Sequence, residues 1–141
     1  MNRAVALDIG TRRIGVALSD SAGTVATPYE VVQRSGDRAR DHRRIAVLVD
    51  EAGADVVVVG LPLSLDGSLG PAARAILAEV DELRAALDVE VVTWDERLST
   101  VEAERSLRTM GVKKGDRRRV VDQVAATVIL QSWLDAGRSR G

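Results

Sequence analysis

The chain has 141 residues and no cysteine, which suits one domain spanning 1–141 and excludes disulfide frameworks, thiolate zinc sites and thiol nucleophiles. Lys and Arg number 20 against 21 Asp and Glu, so any pull on nucleic acid must come from local patches. With two Trp, one Tyr and no Phe, a base-stacking platform is not expected, and the lack of a long apolar run or a basic-then-apolar leader predicts a cytoplasmic protein without membrane contact.

The elements read clearly in order. Arg3–Gly10 and Arg13–Ser19 predict two strands, antiparallel because the turn between them is short. Val25–Gln33 predicts a third, interrupted by Pro28 and therefore at an edge or bulged. Asp37–Ala52 has helical spacing of Ile45, Leu48 and Val49, with Arg38, Arg40, Arg43 and Arg44 exposed. His42, the single histidine, is expected to be exposed among those arginines. "ADVVVVG" (Ala54–Gly60) is a β-branched run, as in a strand covered on both faces. "LPLSLDGSLG" is a loop of turn residues. Pro71 opens a helix to about Leu87, with Ile76, Val80, Leu83 and Leu87 in phase. Val89–Trp94 is a fifth strand. Ser99, with Glu102 three residues on, predicts a capped helix ending at Gly111. "VKKGDRRR" is a basic loop, and a last helix covers about Val120–Ala136. Strands followed by alternating helices and strands give an α/β fold: a five-stranded mixed sheet flanked by α-helices.

Sites in such sheets gather at strand ends. Asp8 lies near the end of the first strand, where a buried carboxylate is costly without a partner. Asp95 and Glu96 follow the fifth strand, which can neighbour the first. Asp122 lies in the last helix, with Ala125 and Ala126 three and four residues on, small enough to let that helix approach the sheet. Converging carboxylates repel unless a cation joins them. Magnesium takes hard oxygen ligands, and such ions can activate water and stabilise the leaving oxygen of a phosphodiester. Ordinary structural accounts stand beside this one. Asp8 can cap the turn at Gly10 or Thr11, Glu96 can pair with Arg97, and Asp122 can be a solvated helix residue. Only the combination favours a metal site.

"LDIGTRRIGVALSD", "VVVGLPLSLDGSLG", "WDERLST" and "VDQVAA", in this order and spacing, resemble the YqgF/RuvX family, known as Holliday junction resolvases or pre-16S rRNA nucleases. The resemblance covers essentially the whole chain, and "DERLST" with a downstream "DQVAA" is its most specific part. It implies an RNase H-like fold and a nuclease that uses Mg2+ or Mn2+, with Asp8, Glu96 and Asp122 matching the acidic catalytic and metal-binding positions. RuvC-type resolvases carry a second helix acid where this chain has Ala125. That departure tilts the expected role toward 16S rRNA maturation and away from cutting branched DNA.

Lys113, Lys114, Arg117, Arg118 and Arg119 cluster directly before the Asp122 helix and can hold phosphates there. Arg12 and Arg13, in the turn after Asp8, can do the same. Solvated charge is the plain alternative for both groups. Gly60, Pro62, Asp66 and Gly67 shape a loop that lines a groove or is simply a tight turn. Trp94 is expected in the core and Trp133 at an oligomer contact, in a monomer or homodimer. Two other classes remain. A phosphotransferase of the sugar-kinase type shares the "DIGTRRIGVAL" hairpin but needs two such domains. A non-catalytic module would grip structured RNA or DNA without cleaving it.

Overall fold

The computed structural model describes residues 3–98 and 117–140, with side chains described for 3–98 and 124–137. Five strands, β1 (Arg3–Ile9), β2 (Arg13–Ser19), β3 (Ala26–Gln33), β4 (Ala54–Leu61) and β5 (Glu90–Asp95), form one sheet in the order β3-β2-β1-β4-β5. β1 pairs antiparallel with β2 and parallel with β4, β2 pairs antiparallel with β3, and β4 pairs parallel with β5. The helices are α1 (Arg38–Ala52), α2 (Pro71–Ala86) and α3 (Arg117–Arg140). None of the described helices is long and apolar enough to cross a membrane.

The alternation of strand side chains divides the core into two layers. Val5, Leu7, Ile14, Val16, Val57, Val59 and Val91 point to the face covered by α1 and α2. Ala4, Ala6, Ala17 and Val58 point to the other face, where they meet Ala126, Ile129, Leu130 and Leu134 of α3. Alanines on both sides of that second layer bring α3 close to the sheet, as the small residues near Asp122 predict. Trp94 and Trp133 pack partly buried against this layer, and the Trp94 indole donates to Ser132 Oγ (3.0 Å).

Local chemistry sets the ends of the elements. Asp37 caps α1 by accepting from the Arg40 amide (3.2 Å). Gly53 ends it at φ 64°, a left-handed conformation that suits glycine. Pro71 opens α2 at its first position. Pro28 lies on the edge strand, and the register slips there: Val16 pairs with Glu30 but Ala17 with Pro28, leaving Tyr29 as the extra residue.

Three expectations need correction. β1 and β5 are not neighbours, because β4 lies between them; its β-branched run, covered on both faces, takes the central place. The last helix begins at Arg117 and continues to Arg140, beyond the expected Val120–Ala136. Arg117, Arg118 and Arg119 therefore belong to the helix rather than the loop, in keeping with arginine's good helix propensity. His42 is buried, at 3% exposure. Its imidazole Nε2 lies 2.7 Å from Glu79 Oε2 of α2, so an ion-pair network replaces the solvent expected around it. The helix expected at Ser99–Gly111, together with Lys113 and Lys114, lies outside the described residues.

Candidate active site

Asp8 continues the Ala4–Ala6 alternation and so stands on the α3 face at the end of β1. Leu7 pairs with Val59 and Gly60 with Trp94, so the register carried one residue further sets Asp8 beside Gly60. Glu96, two residues past Trp94, begins a 3-10 turn, Glu96–Leu98, and falls on the same face. Gly60 thus separates the two acidic positions. A Cβ built at Gly60 would lie 3.0 Å from Cγ and 3.2 Å from Cδ of Glu96, and 2.5 Å from Cδ1 of Ile129. The bare glycine lets the Glu96 side chain lie over β4 beneath α3.

Two contacts fix the course of α3 over the sheet. Ile129 stands over Gly60 at the end of β4. Further along, Trp133, Leu134 and Gly137 line a cavity of about 340 Å³ with Ala4 and Val56, near the beginnings of β1 and β4. The helix therefore runs antiparallel to these strands, with its first turns over the strand ends that carry Asp8 and Glu96. Asp122 is one turn before Ala126 and two before Ile129, roughly 10 Å upstream of the latter. Its side chain is not among those described. Among the described residues no group of three or more Asp, Glu, His or Cys is placed to hold a metal.

The two acids at the end of β5 are shifted in opposite directions. Burial, with the Asp95 charge beside it, raises the Glu96 carboxyl above its ordinary value of 4.5. Asp95 moves the other way, lowered chiefly by its hydrogen bond from Arg97. Arg97 Nη2 lies 2.7 Å from Asp95 Oδ2, and Arg97 Nη1 donates to the Leu65 carbonyl (3.1 Å). The alternative pairing of Glu96 with Arg97 thus gives way to a clamp that ties the 3-10 turn to the β4–α2 loop. In that loop Asp66 accepts from the amide (2.9 Å) and hydroxyl (2.7 Å) of Ser68, so Asp66 and Gly67 make a tight turn. The Gly10 amide closes the β1–β2 turn on the Arg13 carbonyl (2.9 Å), which leaves little support for a cap from Asp8 at Gly10.

Arg12 and Arg13 occupy that turn at the same end of the sheet. Arg34, which the sequence reading passed over, holds it: its amide donates to the Arg12 carbonyl (2.9 Å) and its guanidinium to the Gly10 carbonyl (2.8 Å). The sequence reading also omits the Asp95–Arg97 clamp, although opposite charges two residues apart at a strand end are a visible signal. Gly60 was read as shaping a loop. A glycine closing a β-branched run instead marks a close approach.

The family model described as RuvX, Holliday junction resolvase, matches residues 2–136. The chain belongs to the RuvX family. Among similar proteins, one from Desulforudis audaxviator named "Putative pre-16S rRNA nuclease" is 46% identical over 137 residues, covering 97% of this chain and 96% of that protein. A protein of the same name from Myxococcus xanthus is 48% identical over 136 residues, covering 96% of this chain and 89% of its own. Among solved structures, Thermus thermophilus RuvC superposes with TM-score 0.59 at 16% identity, covering 96% of each chain. T. thermophilus RuvC in complex with a Holliday junction substrate gives 0.53 at 18%, covering 97% of each. These likenesses place this RuvX chain in the RNase H-like fold.

Proposed function

We propose that this RuvX chain is a divalent-metal-dependent endonuclease, one domain over 1–141, that hydrolyses phosphodiesters in structured nucleic acid, with 5′-end processing of pre-16S rRNA as its role. The observation that carries the reading is the Glu96 side chain laid over Gly60, on the sheet face shared by Asp8 and the helix of Asp122. The donor set fits Mg2+ or Mn2+: carboxylate oxygens only, the hard ligands such ions take. When bound, such an ion would activate water and neutralise charge on the scissile phosphate. Asp8, Glu96 and Asp122 would hold the ion. Arg12, Arg13, Lys113, Lys114, Arg117 and Arg118 hold the flanking phosphates. The chain acts in the cytoplasm as a monomer or homodimer.

Holliday junction resolution is the second reading, favoured by the description of the matching family. Ala125, in place of a second helix acid, weighs against it. The test compares cleavage of matched precursor RNA and four-way DNA junctions with Mg2+ or Mn2+, by wild type and Asp8→Asn. RNA cleavage lost in the variant supports the first reading. Junction cleavage alone supports the second. Binding without cleavage of either substrate leaves a non-catalytic module.

A further inference from the structure

On the side of the β1–β2 turn away from α3, a cleft of about 660 Å³ opens between that turn, the end of β3 and the start of α1. Thr11, Arg12, Arg13, Gln33, Arg34 and Arg38 line it, with Asp41 at its base. Four guanidinium groups thus surround one concavity.

Its deepest cation is fixed by buried chemistry. Arg34 Nη2 hydrogen-bonds Glu79 Oε2, which also meets the His42 imidazole. Arg34 Nε lies 3.8 Å from Asp41, and Asp41 is held in turn by the Ser35 amide (3.0 Å) and hydroxyl (2.7 Å). Asp41, His42 and Glu79 are each at most 5% exposed. Nearer the opening, Arg38 Nη2 reaches Glu82 (2.7 Å) and stands 4.0 Å from Glu79. The carboxylates within the network, Asp41 and Glu79, lie buried behind the arginines, while Thr11, Arg12, Gln33 and Arg38 are exposed at the mouth. Buried carboxylates fix Arg34 at the base of the cleft, while Arg38, paired with exposed Glu82, and Arg12 stand at its mouth; such an arrangement suits a ligand bearing negative charge and acceptor oxygens, and guanidinium groups match phosphate oxygens in pairs.

The geometry points to this cleft as a binding site for a backbone phosphate of the substrate strand, separate from the acidic site and joined to it through the Gly10–Arg13 turn. The inference rests on the nucleic-acid reading above. The strand would cross the turn, with the acids on its α3 side and the cleft on its α1 side. Arg34 acts as a positioning residue, while Arg12 and Arg38 make the contacts.

The test uses the full chain in chelator, so that nothing is cut, with a fluorescein-labelled hairpin RNA as probe. Arg12→Ala/Arg38→Ala should bind more weakly, with a slope of log affinity on log salt smaller by about one to two, as expected for two lost phosphate contacts. In wild type, amide resonances of Thr11, Arg12, Arg13 and Gly36 should shift on adding the RNA; this second measurement stands even if the variant folds poorly. An unchanged salt slope in a folded variant, or silent resonances in wild type, overturns the proposal. Resonances that move with inorganic phosphate but not with RNA overturn it too, since the cleft would then take only the free anion. Cleavage with metal is assayed separately. RNA bound through the cleft without cleavage removes the nuclease reading alone, and cleavage without cleft involvement removes this inference alone.

Discussion

Glu96 lies against Gly60, its Cγ 3.0 Å from where a Cβ of residue 60 would stand, with Ile129 Cδ1 at 2.5 Å. A hydrogen at this position is what lets an acid from the turn just past β5 extend over β4 while α3 closes on them. Gly60→Ala should therefore overpack the site, costing about 1–3 kcal/mol. It should also displace Glu96 and reduce cleavage about tenfold or more. Thermal unfolding and cleavage rates check both, and wild-type values in both would refute the close packing.

The raised carboxyl of Glu96 makes stability depend on pH in a defined direction. The folded chain holds this proton more tightly than the unfolded chain, so stability falls as pH rises from 4.5 through the raised value and stays lower at neutral pH. Glu96→Gln in chelator should melt above wild type at neutral pH, and the difference should close below the ordinary glutamate value. Added Mg2+ or Mn2+ should stabilise wild type more than the variant. Melting curves across pH, with and without chelator, decide this. Equal metal responses would count against Glu96 as a ligand.

Asp8→Asn preserves shape but removes a charge. Its melting temperature in chelator should match or exceed that of wild type, because repulsion within the acidic site is relieved. Cleavage should fall by orders of magnitude. If the side chain only caps a turn, asparagine should serve about as well, and full activity would remove Asp8 from the metal site.

Arg97 offers a separation of activity from stability. Its side chain is exposed, so Arg97→Ala should leave the melting temperature nearly unchanged. Cleavage should still decline, because the clamp between Asp95 and the Leu65 carbonyl holds the turn that begins at Glu96. Arg97→Lys should rescue poorly, since one ammonium cannot reproduce the fork. Rescue to the wild-type rate by lysine would show that charge alone matters.

Glu79 carries a cost of the opposite kind. Glu79→Ala leaves the Arg34 guanidinium and His42 without their shared carboxylate, and removing one partner of a buried pair costs about 3–5 kcal/mol. Urea unfolding measures this, and a loss below about 1 kcal/mol would mean that Asp41 and solvent replace Glu79.

Much of this architecture was legible because local signals agreed. The β-branched run of Ala54–Gly60 read as a doubly covered strand, and Pro28 marked an edge with a bulge. Asp8 and Glu96 were legible as strand-end acids. The intervening β4 was not, because strand order depends on which face each helix covers, a long-range property. His42 was misread for a related reason. Its arginine neighbours suggested a polar face, but burial was decided by Glu79, 37 residues away. The Arg34 network was invisible for the same cause: each member is an ordinary surface residue until its partner arrives.

The edge of the sheet has a consequence for solubility. An open edge strand offers unpaired amides on which another chain can grow. On β3, Pro28 has no amide, the bulge at Tyr29 breaks the regular spacing, and the Gln131 side chain accepts from the Ala26 amide (2.9 Å) while donating to the Thr24 carbonyl (3.0 Å). The helix thus supplies one rung of a ladder in place of a strand. Gln131→Ala would uncover that rung at the beginning of β3, next to exposed Val25. The first sign of its loss would be self-association at high concentration, before any change in cleavage.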